Sequence, residues 1–122
     1  MATITEDYVS FETAKLLKEK GFHEVCKCQY GRHGDIGWTP SNNGNVTTFA
    51  RPTLQMAMKW LREVHNIFIE ISVSIDLNGE YHYSYSILNK ECKYVRKGYT
   101  DFDWNYKQSC EAAIKYCLKN LI

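Results

Sequence analysis

Long apolar runs are missing from this sequence: no stretch approaches the roughly 18 consecutive apolar residues that a membrane-spanning helix needs. An excess of charge of one sign is missing as well. Lys plus Arg number 15 and Asp plus Glu 14. The balance holds along the chain, with six basic and six acidic groups in residues 1–51, and nine and eight in residues 52–122. A domain dedicated to nucleic acid carries a clear basic excess. The only local one here is Lys90, Lys93, Arg96 and Lys97 against Glu91. Proline is scarce at two and glycine modest at seven, which argues against disorder and fibrous repeats. The polar, acidic start, Met1–Asp7, lacks the apolar core of a secretion signal. The five cysteines, an odd count, therefore read as free thiols in a cytoplasmic protein. Three signature motifs are also missing: the phosphate loop G-x-x-x-x-G-K-S/T, the dinucleotide fingerprint G-x-G-x-x-G and the nucleophile elbow G-x-S-x-G.

What remains is the profile of a small globular chain. Its 122 residues, 44% hydrophobic and 24% charged, suit one domain over residues 1–122 with its own core. Ser10 is placed to cap a helix starting at Phe11, and FETAKLLKEK is rich in helix formers. Gly21 stands at the left-handed stop, with Phe22 set to pack back on Leu17. Glu24–Tyr30 reads as a strand with Cys26, Cys28 and Tyr30 on one face. A long irregular stretch from Gly31 to Arg51 follows, with a short strand expected at Val46–Phe49. Pro52 or Thr53 opens a second helix whose apolar face is Leu54, Ala57, Met58, Leu61 and Val64.

Ile67, Ile69, Ile71, Val73 and Ile75 then alternate with Phe68, Glu70, Ser72, Ser74 and Asp76, the period of a strand with one buried face. Asn78-Gly79 marks a hairpin. A two-residue turn there sets the aliphatic row against His82 and Ser84. A three-residue loop, Leu77 to Gly79, instead pairs Ile75 with Tyr81, Val73 with Tyr83, Ile71 with Tyr85 and Ile69 with Ile87. Only the second keeps one face apolar throughout, so the bulged form is expected. A turn at Lys90-Glu91, a strand over Cys92–Tyr99 and a last helix starting between Asp101 and Asn105 complete the order α-β-(loop)-α-β-β-β-α. Tyr106, Cys110, Ala113, Ile114, Cys117 and Leu121 make that helix's apolar stripe, and Asp101 and Asp103 are its capping candidates. The fold class is α+β: an antiparallel sheet of three to four strands with helices packed on one face.

Chemistry-bearing residues are few. His23, Cys26, Cys28 and His33 supply the donor types of a zinc site. Their H-x2-C-x-C-x4-H spacing matches no finger, and two buried strand cysteines beside unrelated surface histidines is the favoured explanation. Cys110 and Cys117 read as small core hydrophobes. No cofactor and no catalytic residue is expected. Tyr81, Tyr83 and Tyr85 line one strand face, a row that can stack bases, bind protein or pack under a helix, and sharing the isoleucine face favours packing. Trp38, Phe49 and Arg51 in the long loop are candidates for protein contact, and Lys93, Arg96 and Lys97 for nucleic acid, the less favoured partner.

From residue 52 the order α-β-β-β-α resembles the double-stranded-RNA-binding domain in topology. The Lys-rich motif such domains place at the last helix start is reduced to Lys107 among Asn105, Tyr106 and Gln108. In sequence, YVSFETAKLLKEKGF (8–22), RPTLQMAMKWLREVHNI (51–67) and CEAAIKYCLKNLI (110–122), about a third of the chain, resemble a group of short uncharacterised proteins of Bacteroides-type gut bacteria and their phages or mobile elements. That resemblance implies a source and a compact fold, and assigns no site. The expectation is a non-enzymatic accessory or protein-interaction domain, self-associating or bound to another protein, with RNA binding and a small zinc protein as alternatives.

Overall fold

The computed structural model describes residues 4–122. Its elements run α1 (Phe11–Glu19), β1 (Gln29–Tyr30), β2 (Ile36–Gly37), β3 (Phe49–Ala50), α2 (Leu54–His65), β4 (Phe68–Ile75), β5 (Tyr81–Leu88), β6 (Tyr94–Tyr99) and α3 (Tyr106–Asn120). The fold is α+β in the expected order, with the strands sorted into two antiparallel three-stranded sheets, β2-β1-β3 and β4-β5-β6. The chain gathers into two compact units, one ending at Ala57 and one spanning Met58–Ile122. No described helix is long and apolar enough to cross a membrane.

In the first unit, α1 starts and stops as its sequence dictates. The Ser10 hydroxyl accepts the Thr13 amide, 3.2 Å away. At the other end Gly21 takes φ +91°, Phe22 N–H donates to the Leu17 carbonyl at 2.9 Å and Gly21 N–H to Lys18 at 3.1 Å. That is a Schellman stop, and it drives Phe22 into the core. The expected strand over Glu24–Tyr30 is shorter than its pattern. Cys26, Cys28 and Tyr30 are buried on one face, yet regular pairing is confined to Gln29–Tyr30, with Cys26 bridging Ser41 alone. The third strand falls at Phe49–Ala50 rather than Val46–Phe49.

Strands of two residues offer little ladder, so side chains tie this unit. Asn43 is buried at φ +67°. Its amide donates to the Phe22 carbonyl at 2.8 Å and accepts the Ala50 N–H at 2.7 Å. Lys18 Nζ donates to the carbonyls of Asn45 and Thr48. The long loop is thereby fixed to α1 and β3.

The second unit is built on the β4-β5 hairpin. Its register is Ile69 with Ile87, Ile71 with Tyr85, Val73 with Tyr83 and Ile75 with Tyr81, the pairing of the three-residue loop. Gly79 is left-handed at φ +80°, Gly79 N–H donates to Asp76 C=O at 3.0 Å and Asp76 N–H to Glu80 C=O at 2.9 Å. The next turn repeats this geometry without glycine: Cys92 holds φ +59°, and Asn89 and Lys93 close the loop at 2.9 Å. Both turns are locked by the first residue's side chain, Asp76 Oδ1 to the amides of Asn78 and Glu80 and Asn89 Oδ1 to those of Glu91 and Lys93.

Helix α3 is capped by Asn105 in a reciprocal box with Gln108, each bond 2.8 Å. Asp101 and Asp103 are not its caps: Asp101 Oδ1 accepts the Asp103 amide, closing the preceding turn. The buried face of α3 is Ser109, Cys110, Ala113, Ile114, Cys117 and Leu118, with Tyr106 exposed. In α2, Leu54, Ala57, Met58 and Leu61 are buried as expected and Trp60 joins them, while Val64 is exposed.

Replacing Asn43 with alanine orphans two buried backbone groups and leaves a left-handed residue without its side-chain bonds. Each orphaned buried group costs about 1–3 kcal/mol. Urea denaturation should therefore show a loss of about 2–4 kcal/mol; a loss under about 0.5 kcal/mol would remove Asn43 from this role.

Candidate functional site

The zinc candidates are not brought together. His23 and His33 are exposed while Cys26 and Cys28 are buried. The Cys26 thiol is pushed up to about 11 by burial, reinforced by Cys28 and Glu24. The Arg51 guanidinium lies 3.5 Å from Cys28 Sγ, a cation where zinc would need none. Among the described residues the group of metal-type side chains that does converge is Asp76, Glu80 and His82, at the β4-β5 turn. His82 Nε2 lies 2.7 Å from Asp76 Oδ2, so an ion pair that fastens the turn accounts for two of the three.

Trp38 and Arg51 do meet. The guanidinium stacks 4.1 Å from the Tyr8 ring centre, 5.3 Å from Tyr30 and 5.8 Å from Trp38. Tyr8 meets Trp38 edge-on at 6.0 Å, and Trp38 remains 68% exposed. Phe49 goes elsewhere, packing edge-on against Phe11 at 5.6 Å with Lys18 above it at 4.9 Å. An open groove of about 700 Å³ is lined by Val25, Gln29, Thr39, Pro40, Ser41, Asn42, Gly44, Asn45 and Val46. That lining contains no carboxylate, imidazole, thiol or amine, so it carries no acid–base or nucleophilic set.

The second unit also holds an arginine among rings. Arg96 sits 3.8 Å from the Tyr99 ring centre and 4.2 Å from Tyr116, and its Nε donates to the Tyr85 hydroxyl at 2.8 Å. Trp104 joins Tyr85 and Tyr99 in the same cluster, at 6.1 and 5.8 Å. The reason is register: two shifts along β5-β6 place Arg96 opposite Ile87, which is buried. Arg96 is thus half-buried and committed, while Lys93 and Lys97 are exposed. Lys97 lies over Tyr94 at 4.9 Å. The three cations do not form one exposed row.

The two edges of this sheet differ. β6 carries the two register shifts, a left-handed Gly98 at φ +65° and two cations, the devices that blunt an edge against pairing. β4 has none of them. Its eight residues FIEISVSI pair with β5 without a break, contain no proline or cation, and hold one charge, Glu70. Its aliphatic face is covered at one end only. Tyr85 and Ile87 are buried, and Tyr83 meets Tyr106 edge-on at the start of α3. Beyond that row Val73 is 58% exposed, Ile75 61% and the facing Tyr81 65%. Apolar alternation was visible in the sequence; that α3 starts too late to cover its far end was not.

No protein-family model, no curated protein and no solved structure matches the chain.

Two of these side-chain arrangements are open to direct measurement. Cys92 is the exposed thiol and the other four are buried, with burial holding Cys117 at about 12. A thiol reagent at pH 8 should label one cysteine rapidly and the rest only on unfolding; fast labelling of Cys26 would contradict its burial. Second, the hydrogen bond that His82 donates to the Asp76 carboxylate raises the His82 pKa above its ordinary 6.5, and the same bond lowers that of Asp76 below 3.8. The His82 contribution is complete below its ordinary pKa and fades as pH rises through the raised one. That of Asp76 is complete above its ordinary value and fades as pH falls through the lowered one. The turn is tightest between the two. In an NMR titration Asp76→Asn should return His82 toward 6.5; an unchanged midpoint would show that the pair does not form.

Proposed function

We propose that this chain is a non-enzymatic protein-interaction domain that takes up an extended segment of its partner along the free edge of β4. The observation that carries this reading is the contrast within one sheet. β6 has the irregularities and cations that discourage pairing, whereas β4 is long, regular and apolar on one face, with Val73 and Ile75 exposed. Strand addition gains affinity from main-chain hydrogen bonds and specificity from alternate side chains, and β4 offers both. In the first unit, taken by itself, Trp38 is exposed and steadied by Tyr8 and Arg51, an aromatic of the type that dominates protein contacts. The five free thiols suit a reducing cytoplasm, and the sequence resemblance suits an accessory protein of phage or mobile-element type. Nucleic acid is the weaker reading, because Arg96 is spent on tyrosine rings rather than available to phosphates.

The test uses short fluorescent peptides of alternating aliphatic and polar residues, titrated into the protein and followed by polarisation. Saturable binding is expected, and it should weaken at least about tenfold when Val73 becomes proline, which disables that edge. Peptides that fail to bind, or that bind the variant equally, would rule out the β4 edge as the recognition element.

A further inference from the structure

We infer that the strand β4 accepts is β4 of a second copy, joined about a two-fold axis into a continuous six-stranded sheet. This rests on the reading of β4 as a recognition edge and adds the identity of the partner.

The hydrogen-bond phase of the hairpin decides which groups are on offer. Asp76 N–H donates to Glu80 C=O at 2.9 Å, so Asp76 and Glu80 are a hydrogen-bonded pair. Such pairs alternate along an antiparallel ladder. Ser74, Ser72, Glu70 and Phe68 therefore exchange bonds with His82, Ser84, Ser86 and Leu88, their partners in register. The main-chain groups of Ile69, Ile71, Val73 and Ile75 point the other way, to the free edge. The aliphatic residues of β4 are thus also the ones with outward N–H and C=O groups.

A second β4 run antiparallel, with Ser72 facing its own copy, engages all of them. Ile69 meets Ile75 and Ile71 meets Val73, twice over, giving about eight main-chain hydrogen bonds. On the opposite face Glu70 meets Ser74 and Phe68 meets Asp76, so no like charges stand opposite one another. Sliding the second strand by two residues so that the axis falls at Val73 sets Glu70 against Asp76. Sliding it two residues the other way, with the axis at Ile71, calls on Ile67, whose N–H is already given to the Leu61 carbonyl at 3.1 Å. One register therefore fits best, and it is symmetric. An axis perpendicular to the sheet keeps both aliphatic faces on the same side. The exposed Val73 and Ile75 of each copy then lie beside the Ile71 and Ile69 of the other, at the end of the face that its own α3 leaves open. Growth stops at two, because the outer edges of the joined sheet are the blunted β6 strands.

Sedimentation velocity over a hundredfold concentration range tests this on the full chain. The wild type should pass from monomer to dimer. Val73→Pro removes an outward N–H without touching the β5 ladder, and Val73→Lys sets a cation at an exposed edge position. Each should weaken the dimer at least about thirtyfold, the effect of losing an interface hot spot. Circular dichroism must show both folded, and Val73→Thr, which keeps the strand shape, should still dimerise. A wild type that stays monomeric while binding the strand peptides would overturn the second copy as partner and leave the recognition edge standing. A monomer that binds no peptide removes both. A dimer indifferent to Val73→Pro and Val73→Lys also overturns the inference, since it must form elsewhere.

Discussion

The second unit depends on one constraint, the register of β4 against β5. A single residue more or less in the loop before Glu80 would turn every isoleucine of β4 to the face now held by Glu70, Ser72 and Ser74. Gly79, left-handed at φ +80°, supplies the extra loop residue, and the Asp76 side chain holds the loop closed through the amides of Asn78 and Glu80. From that register follow the burial of Tyr85 and Ile87 and the contact of Tyr83 with Tyr106. The outward direction of the odd-numbered main-chain groups of β4 follows from it too. The fold and the free edge of β4 come from the same turn.

A second theme is the use of arginine as a packing group. In the first unit Arg51 lies among Tyr8, Tyr30 and Trp38; in the second Arg96 lies among Tyr85, Tyr99 and Tyr116. A guanidinium is planar and weakly hydrated, so it stacks on rings where an ammonium would demand water. This explains how a chain with nine tyrosines fills small cores, and why the basic character of β6 does not present itself as a row of free cations.

Much of the fold was legible from residues alone. The α1 boundaries followed from Ser10 and Gly21, and the hairpin register from testing which loop length keeps Ile69, Ile71, Val73 and Ile75 on one face. Less was legible where the decisive interaction is distant in sequence. The alternation around Cys26 and Cys28 marks a buried face correctly, but pairing partners for Glu24–Cys28 are scarce, and local pattern does not reveal that. Asn43, fixed to Phe22 and Ala50, looked like one more loop residue. The turn at Asn89 has a signal that composition hides: an Asn in the place of Asp76, without a glycine in the place of Gly79. Of the candidate site, the apolar strand was apparent. Its exposure depends on where α3 begins, and the unequal edges depend on shifts in β6 that no periodicity encodes.

The direction of the β4 main-chain groups can be read by amide hydrogen exchange measured residue by residue at low and high protein concentration. Glu70, Ser72 and Ser74 should be protected at both concentrations, and Ile69, Ile71, Val73 and Ile75 should gain protection only at the higher one. Rapid exchange of the odd-numbered amides at every concentration would contradict the pairing of β4 with a second copy. Rapid exchange of the even-numbered ones would contradict the register of β4 against β5.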